Sequence, residues 1–295
     1  MTRDKLYSLL LLHLIVLIFG FTGIWGKLVS LESAPLVFLR MLIGGSLIGV
    51  FLLVSRRKWR LPLNMTLKMA LVGLIVAAHW ITFFEAIHRS NVSVTLSTMA
   101  STSLFVAVLT PIIGGGKLKW YEVWLGVVVI VGLAMIFGFA SGFWEGMVLA
   151  LISAFLAALF TLLNAIFIRH IDSLRITLWE MLFGAGVVAI YLGVVGYSFE
   201  DFLHLSGLDW LWVLLLAVLA TAFAFVVSVQ VMKVLSPFTV AISVNLEPIY
   251  SIILALMIFG EEERMSWGFY MGSALILVAI LANAFFKKKE AAYAK

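Results

Sequence analysis

Residues 89–114, RSNVSVTLSTMASTSLFVAVLTPIIG, lie without a gap on residues 235–260, LSPFTVAISVNLEPIYSIILALMIFG. Each stretch opens on polar residues, continues as an apolar run and closes on glycine. Gly126 then falls on Gly272, and Arg40-Met41-Leu42-Ile43-Gly44 falls on Glu180-Met181-Leu182-Phe183-Gly184. Apolar helices reach similarity of this strength by chance, so an independent check is needed, and loop charge supplies one. If each copy holds an odd number of membrane spans, the second copy is inverted and equivalent loops carry opposite charge. Arg56-Arg57-Lys58-Trp59-Arg60 corresponds to the acidic Phe199-Glu200-Asp201, and Lys117 and Lys119 correspond to the stretch of Glu261, Glu262 and Glu263. The chain therefore reads as two inverted repeats, 1–141 and 142–295, of five helices each.

Composition agrees. Of 295 residues 64% are hydrophobic and 12% charged, against roughly 45–50% and about 25% in a soluble domain. Ten apolar runs fall at about 6–29, 34–54, 66–88, 91–113, 120–139, 146–168, 176–197, 210–232, 237–259 and 267–286. Each is near the ~20 residues a bilayer needs, and each must be helical, because lipid offers the backbone no hydrogen bonds. The expected fold is all-α and integral to the membrane, with ten transmembrane helices. The basic start, Met1 to Lys5, feeds a run reaching Val29, too long for a signal peptide, and reads as a retained first helix. With both termini cytoplasmic, sixteen of the 20 Lys and Arg lie on the inner side, three (Lys27, Arg89, Arg264) on the outer side, and Arg40 inside a span. That is a strong positive-inside bias, and it places the chain in a cell (inner or plasma) membrane. It also explains the net charge of +5 without nucleic acid.

The enzyme classes find little support. There is no cysteine, no Gly-x-Ser-x-Gly elbow, no His-Glu-x-x-His cluster and no phosphate-binding Gly-x-x-x-x-Gly-Lys loop, so neither a cofactor nor a metal is expected. Inverted repeats instead suit secondary transport, with a site near the midplane between them.

Gly20-Phe21-Thr22-Gly23-Ile24-Trp25-Gly26, Pro35-Leu36-Val37-Phe38-Leu39-Arg40, Ser236-Pro237-Phe238-Thr239-Val240-Ala241, Leu246-Glu247-Pro248-Ile249 and Phe259-Gly260-Glu261-Glu262 resemble, in order and spacing, the EamA-type branch of the drug/metabolite transporter superfamily. The resemblance implies a basket of ten helices around a central cavity. It also implies alternating-access movement of a small metabolite such as an amino acid, with export ahead of uptake. The partners are then the substrate, the bilayer and, as candidate coupling ion, a proton. Two departures stand out. Thr102 occupies a position where the family pattern has proline, and the first repeat ends Gly114-Gly115-Gly116-Lys117 without Gly-Glu. A differently bent helix 4 is expected.

Charges inside spans cost ~2.5–3.5 kcal/mol on insertion scales, so they face cavities or partners. Glu247 lies mid-span beside Asn245 and before Pro248, which frees a carbonyl. It reads as a site for an ammonium or a proton, or else as a neutral acid joining two helices. Asn91, Thr95, Thr98 and Thr102 share one face, either a polar cavity wall or a packing seam. His79 and Trp80 read as proton relay and cavity wall, or as a hydrogen-bonded core pair. Arg40 and Glu85 lie at similar depth, suggesting an ion pair that is static or gates the outer side; snorkelling of Arg40 is the alternative. Glu180, equivalent to Arg40, is expected to be solvated. Trp25, with Gly23 and Gly26, marks a thin outer half of helix 1 that could move as a gate. His13, Asn164 and Gln230 line an inner vestibule or bond neighbouring helices.

Overall fold

Long apolar stretches with no external partner for their amides satisfy them internally as helices. In the computed structural model, which describes residues 3–114, 120–244 and 246–293, no strand occurs among the described residues. The first run forms α1 (Arg3–Gly20) and α2 (Thr22–Leu28), followed by α3 (Ser33–Val54) and α4 (Leu63–Arg89). Next come α5 (Val92–Met99), α6 (Thr102–Gly114) and α7 (Trp120–Phe139). The second half comprises α8 (Trp144–Phe167), α9 (Ser173–Val194), and α10 (Gly207–Leu215) joined by a π-helical stretch, Leu216–Phe225, to α11 (Val226–Val231). It closes with α12 (Pro237–Val244), α13 (Glu247–Phe259) and α14 (Trp267–Tyr293). Among the described residues, seven segments are long and apolar enough to cross a membrane, and Trp124–Phe139 and Trp267–Ala279 are shorter apolar helices. Outward faces carry large apolar side chains such as Val54, Val194 and Met257, 78–81% exposed, which only lipid covers at low cost.

The packing is reciprocal in the sense the internal repeat requires. The equivalent helices α3 and α9 pack on each other, as do α7 and α14. At the first crossing Gly184 faces Met41, while Gly45 faces Met181. Beside it, α4 meets α9 at backbone distance: a Cβ on Gly73 would lie 2.5 Å from the Glu180 carbonyl oxygen. A backbone atom cannot swing away, so Gly73→Ala should cost about 1–3 kcal/mol through overpacking. Thermal unfolding of the purified variant measures this, and an unchanged melting temperature would show the crossing can relax.

The helix ends also match. In α9 the Tyr197 amide donates to Leu192 O (2.9 Å) and the Gly196 amide to Gly193 O (3.3 Å), a Schellman end with Gly196 at φ 75°. In α3 the Arg57 amide donates to Leu52 O (2.9 Å) and the Arg56 amide to Leu53 O (3.1 Å), with Arg56 at φ 50°. A side chain in that region costs roughly 1–2 kcal/mol, while glycine gives back about 0.4–1 kcal/mol in the unfolded chain. Arg56→Gly should therefore stabilise the protein by about 0.5–1 kcal/mol, read as a higher melting temperature.

The expectation of a differently bent helix 4 is corrected. The break between α5 and α6 falls where α12 gives way to α13, although only the latter has a proline. Ser101, Thr102 and Ser103 each donate a side-chain hydrogen bond to the carbonyl three residues earlier, at 2.8, 2.7 and 3.3 Å. Such back-bonding bends helices, so three hydroxyls do here what Pro248 does in the other half.

Candidate functional site

The two broken helices end at one cavity. Helix α6 starts at Thr102 and α13 at Glu247, with Pro248 in its first turn, where its missing amide is no loss. Both residues line the cavity, with Arg40 from α3, His79, Trp80 and Phe83 from α4, Phe160, Thr161 and Asn164 from α8, and Phe225 and Ser228 from the π stretch and α11. Measured at the centres of water-sized molecules, its volume is about 130 Å³. One water needs ~10–15 Å³ on that measure, so the space suits a small metabolite. The wall is mainly aromatic and aliphatic, with few polar groups, as ligand pockets generally are.

Arg40 dominates the electrostatics. It is 2% exposed, donates from Nε to Thr221 Oγ1 at 2.8 Å and lies 3.8 Å from the Trp80 ring centre. A desolvated guanidinium over an indole gains from the ring's negative face. Trp80 is held in turn by Phe225 at 5.7 Å, edge to face. The carboxylate acting on Arg40 is Glu247, yet no salt bridge joins them among the described residues. A guanidinium and a carboxyl group thus stand on the walls of one cavity with no hydrogen bond or ion pair between them.

The other expected residues divide. His79 donates from Nδ1 to the Ser153 carbonyl at 2.9 Å, and Ser153 Oγ donates back to the His79 carbonyl at 2.9 Å. Ser153 Oγ also lies 2.8 Å from Nδ1, so this serine holds the ring through both its backbone and its side chain. Asn164 lines the cavity and donates to Glu180 Oε2 at 3.3 Å. Glu180 is fully buried, which corrects its expected solvation. Thr98 is buried with its hydroxyl unpaired and does not line the cavity, whereas Thr102 does. His13 is exposed and away from the cavity. Gln230 accepts from Ser173 at 3.1 Å and lines a separate groove, so neither forms a vestibule with Asn164. Asn245 lies outside the described residues.

The expected Arg40–Glu85 pair is not formed. Glu85 accepts from Arg89 Nε and Ser33 Oγ, both at 2.9 Å, a local i,i+4 partner being nearer than one on another helix. Trp25 stacks on Phe21, with ring centres 5.4 Å apart, and Gly26 is pressed against Phe84. That close approach leaves no room for a side chain at Gly26. Lys27 and Glu263, which the sequence places only as outer loop charges, make further contacts at this end of the bundle. Glu263, fully buried, accepts the amides of Val92 and Ser93 at 3.0 and 2.8 Å and pairs with Lys27 at 3.0 Å. It caps α5, joining the two halves; its position in a run of three glutamates hid it as an ordinary solvated loop charge.

No curated protein matches the sequence. A solved structure titled "Crystal structure of protein" superposes with a TM-score of 0.69 at 16% identity, covering 94% of this chain and 96% of that one, which establishes a shared fold. The profile of the EamA-like transporter family matches twice, at residues 6–138 and 144–285. Apolar spans, two repeats and a cavity walled by both halves therefore have one common source: the chain is a multi-pass membrane protein that belongs to the EamA-like transporter family, whose members carry small molecules.

Proposed function

We propose that this protein is a secondary transporter moving a small zwitterion, an amino acid or related compound, across the cytoplasmic membrane by alternating access, in the export direction. The observation that supports the reading is that Arg40 and Glu247 line one cavity with no salt bridge between them. A buried charge without a bonded partner is costly, and a bound zwitterion supplies both counter-charges: its carboxylate to Arg40, its ammonium to Glu247. The N-terminus of α6 at Thr102 adds a positive dipole end beside the same space. Uptake of a proton by Glu247 as the ammonium leaves is the natural coupling step.

The seven long spans, the two shorter apolar helices and the broken pair α12–α13 support ten crossings. The halves, 1–141 and 142–295, are then inverted and both termini cytoplasmic. In that frame the cavity reaches Met232 and Val240 near the basic inner loops, while Lys27, Glu262 and Glu263 close the outer side. Such a state accepts its cargo from the cytoplasm. The chain has no cysteine, so Ser228→Cys can be labelled alone with a membrane-impermeant maleimide. We expect labelling in inverted vesicles, protection by an amino-acid mixture, and little labelling in intact cells. Labelling from outside only would reverse the assignment.

A further inference from the structure

A second concavity lies on the lipid-facing flank, between α3, α9 and the π stretch with α11. It is an open groove of about 890 Å³ with two chemically distinct parts. Its mouth carries Arg57, Lys58, Arg175 and Lys233. Only Arg175 has an acidic partner, Asp172; Arg57, Lys58 and Lys233 are exposed and have no carboxylate within salt-bridge distance among the described residues. Its floor is apolar: Leu47, Ile48 and Phe51 from α3 face Val218, Phe223 and Val226.

We infer that this groove is a binding site for a phospholipid with an anionic headgroup, the phosphate held at the basic mouth and an acyl chain laid along the apolar floor. Charge complementarity selects the headgroup: three unpaired cations converge where a zwitterionic lipid brings no net charge and an anionic one does. Arginine and lysine differ in geometry but both bind phosphate oxygens strongly. The backbone adds a second indication. Arg56, in the left-handed region, turns the chain so that Arg57 and Lys58 enter the groove, and the same turn in the other half uses Gly196. The floor also joins the cavity wall, since α11 supplies Val226 and Val227 to the groove and Ser228 and Val229 to the cavity. An occupied groove therefore braces a helix that the cavity depends on. The inference is independent of the substrate assigned above.

The test is native mass spectrometry of the purified protein titrated with phosphatidylglycerol or phosphatidylcholine. The parent protein should retain phosphatidylglycerol at least tenfold better than phosphatidylcholine. The triple variant Arg57→Gln, Lys58→Gln, Lys233→Gln should lose that preference while eluting as the folded protein. Ala222→Trp, which fills the floor and leaves the charges, should reduce retention of both lipids at this site. Equal retention of the two lipids by the parent, or a preference surviving both variants, would overturn the assignment.

Discussion

Glu247→Gln should lower exchange of a labelled amino-acid mixture into proteoliposomes by ten- to a hundredfold, with the protein still folded and inserted. The magnitude follows from the bond removed. A charge-assisted hydrogen bond to a buried carboxylate contributes about 1.5–3 kcal/mol, and each 1.4 kcal/mol is tenfold in affinity. Glutamine keeps the shape and the start of α13 but offers no negative charge to an ammonium and no proton to exchange. Any residual flux should also lose its dependence on an imposed pH difference. Parental flux with parental pH dependence would remove Glu247 from the path.

Arg40→Gln should be the second severe change, because it acts on two levels. The guanidinium is enclosed by Trp80 and bonded to Thr221, so its removal loses packing and leaves Glu247 as an unbalanced charge. Breaking a directly bonded buried pair costs about 3–5 kcal/mol. These two groups do not touch, and a cost of about 1–3 kcal/mol is expected, with transport abolished. The double variant Arg40→Gln, Glu247→Gln should recover most of the stability, since neither charge is then left alone, yet remain inactive. Melting temperatures of the four proteins form a double-mutant cycle. Additive losses would mean that the two charges do not sense each other.

Much of this architecture is legible in the sequence, because hydropathy and loop charge report depth directly. Each apolar run has a helical counterpart, and the lipid-facing side chains fall on the expected segments. Depth does not report azimuth. The sequence puts Arg40 and Glu85 at comparable depths, but they are directed to different neighbours, one to Thr221 and the other to Arg89. The i,i+4 spacing of Glu85 and Arg89 was the available signal for the second. Glu180 illustrates a boundary error. Helix α9 begins at Ser173, earlier than the apolar run at 176, which sets Glu180 about 10 Å inside the helix at ~1.5 Å per residue. The bend between α5 and α6 was hidden for a different reason: three hydroxyls replace a proline, and Ser and Thr occur equally in straight packed helices. Glu263 was invisible because only the tertiary fold tells which of three adjacent glutamates turns inward.

The measurement that bears most directly on transport through this cavity is untargeted mass spectrometry of the medium from cells overproducing the protein. The Arg40→Gln, Glu247→Gln variant, at equal membrane level, is the control. The account expects a small set of zwitterionic metabolites enriched in the medium only with the parent protein. The same enrichment with the charge-neutral variant, or enrichment confined to compounds lacking either an amino or a carboxyl group, would contradict it.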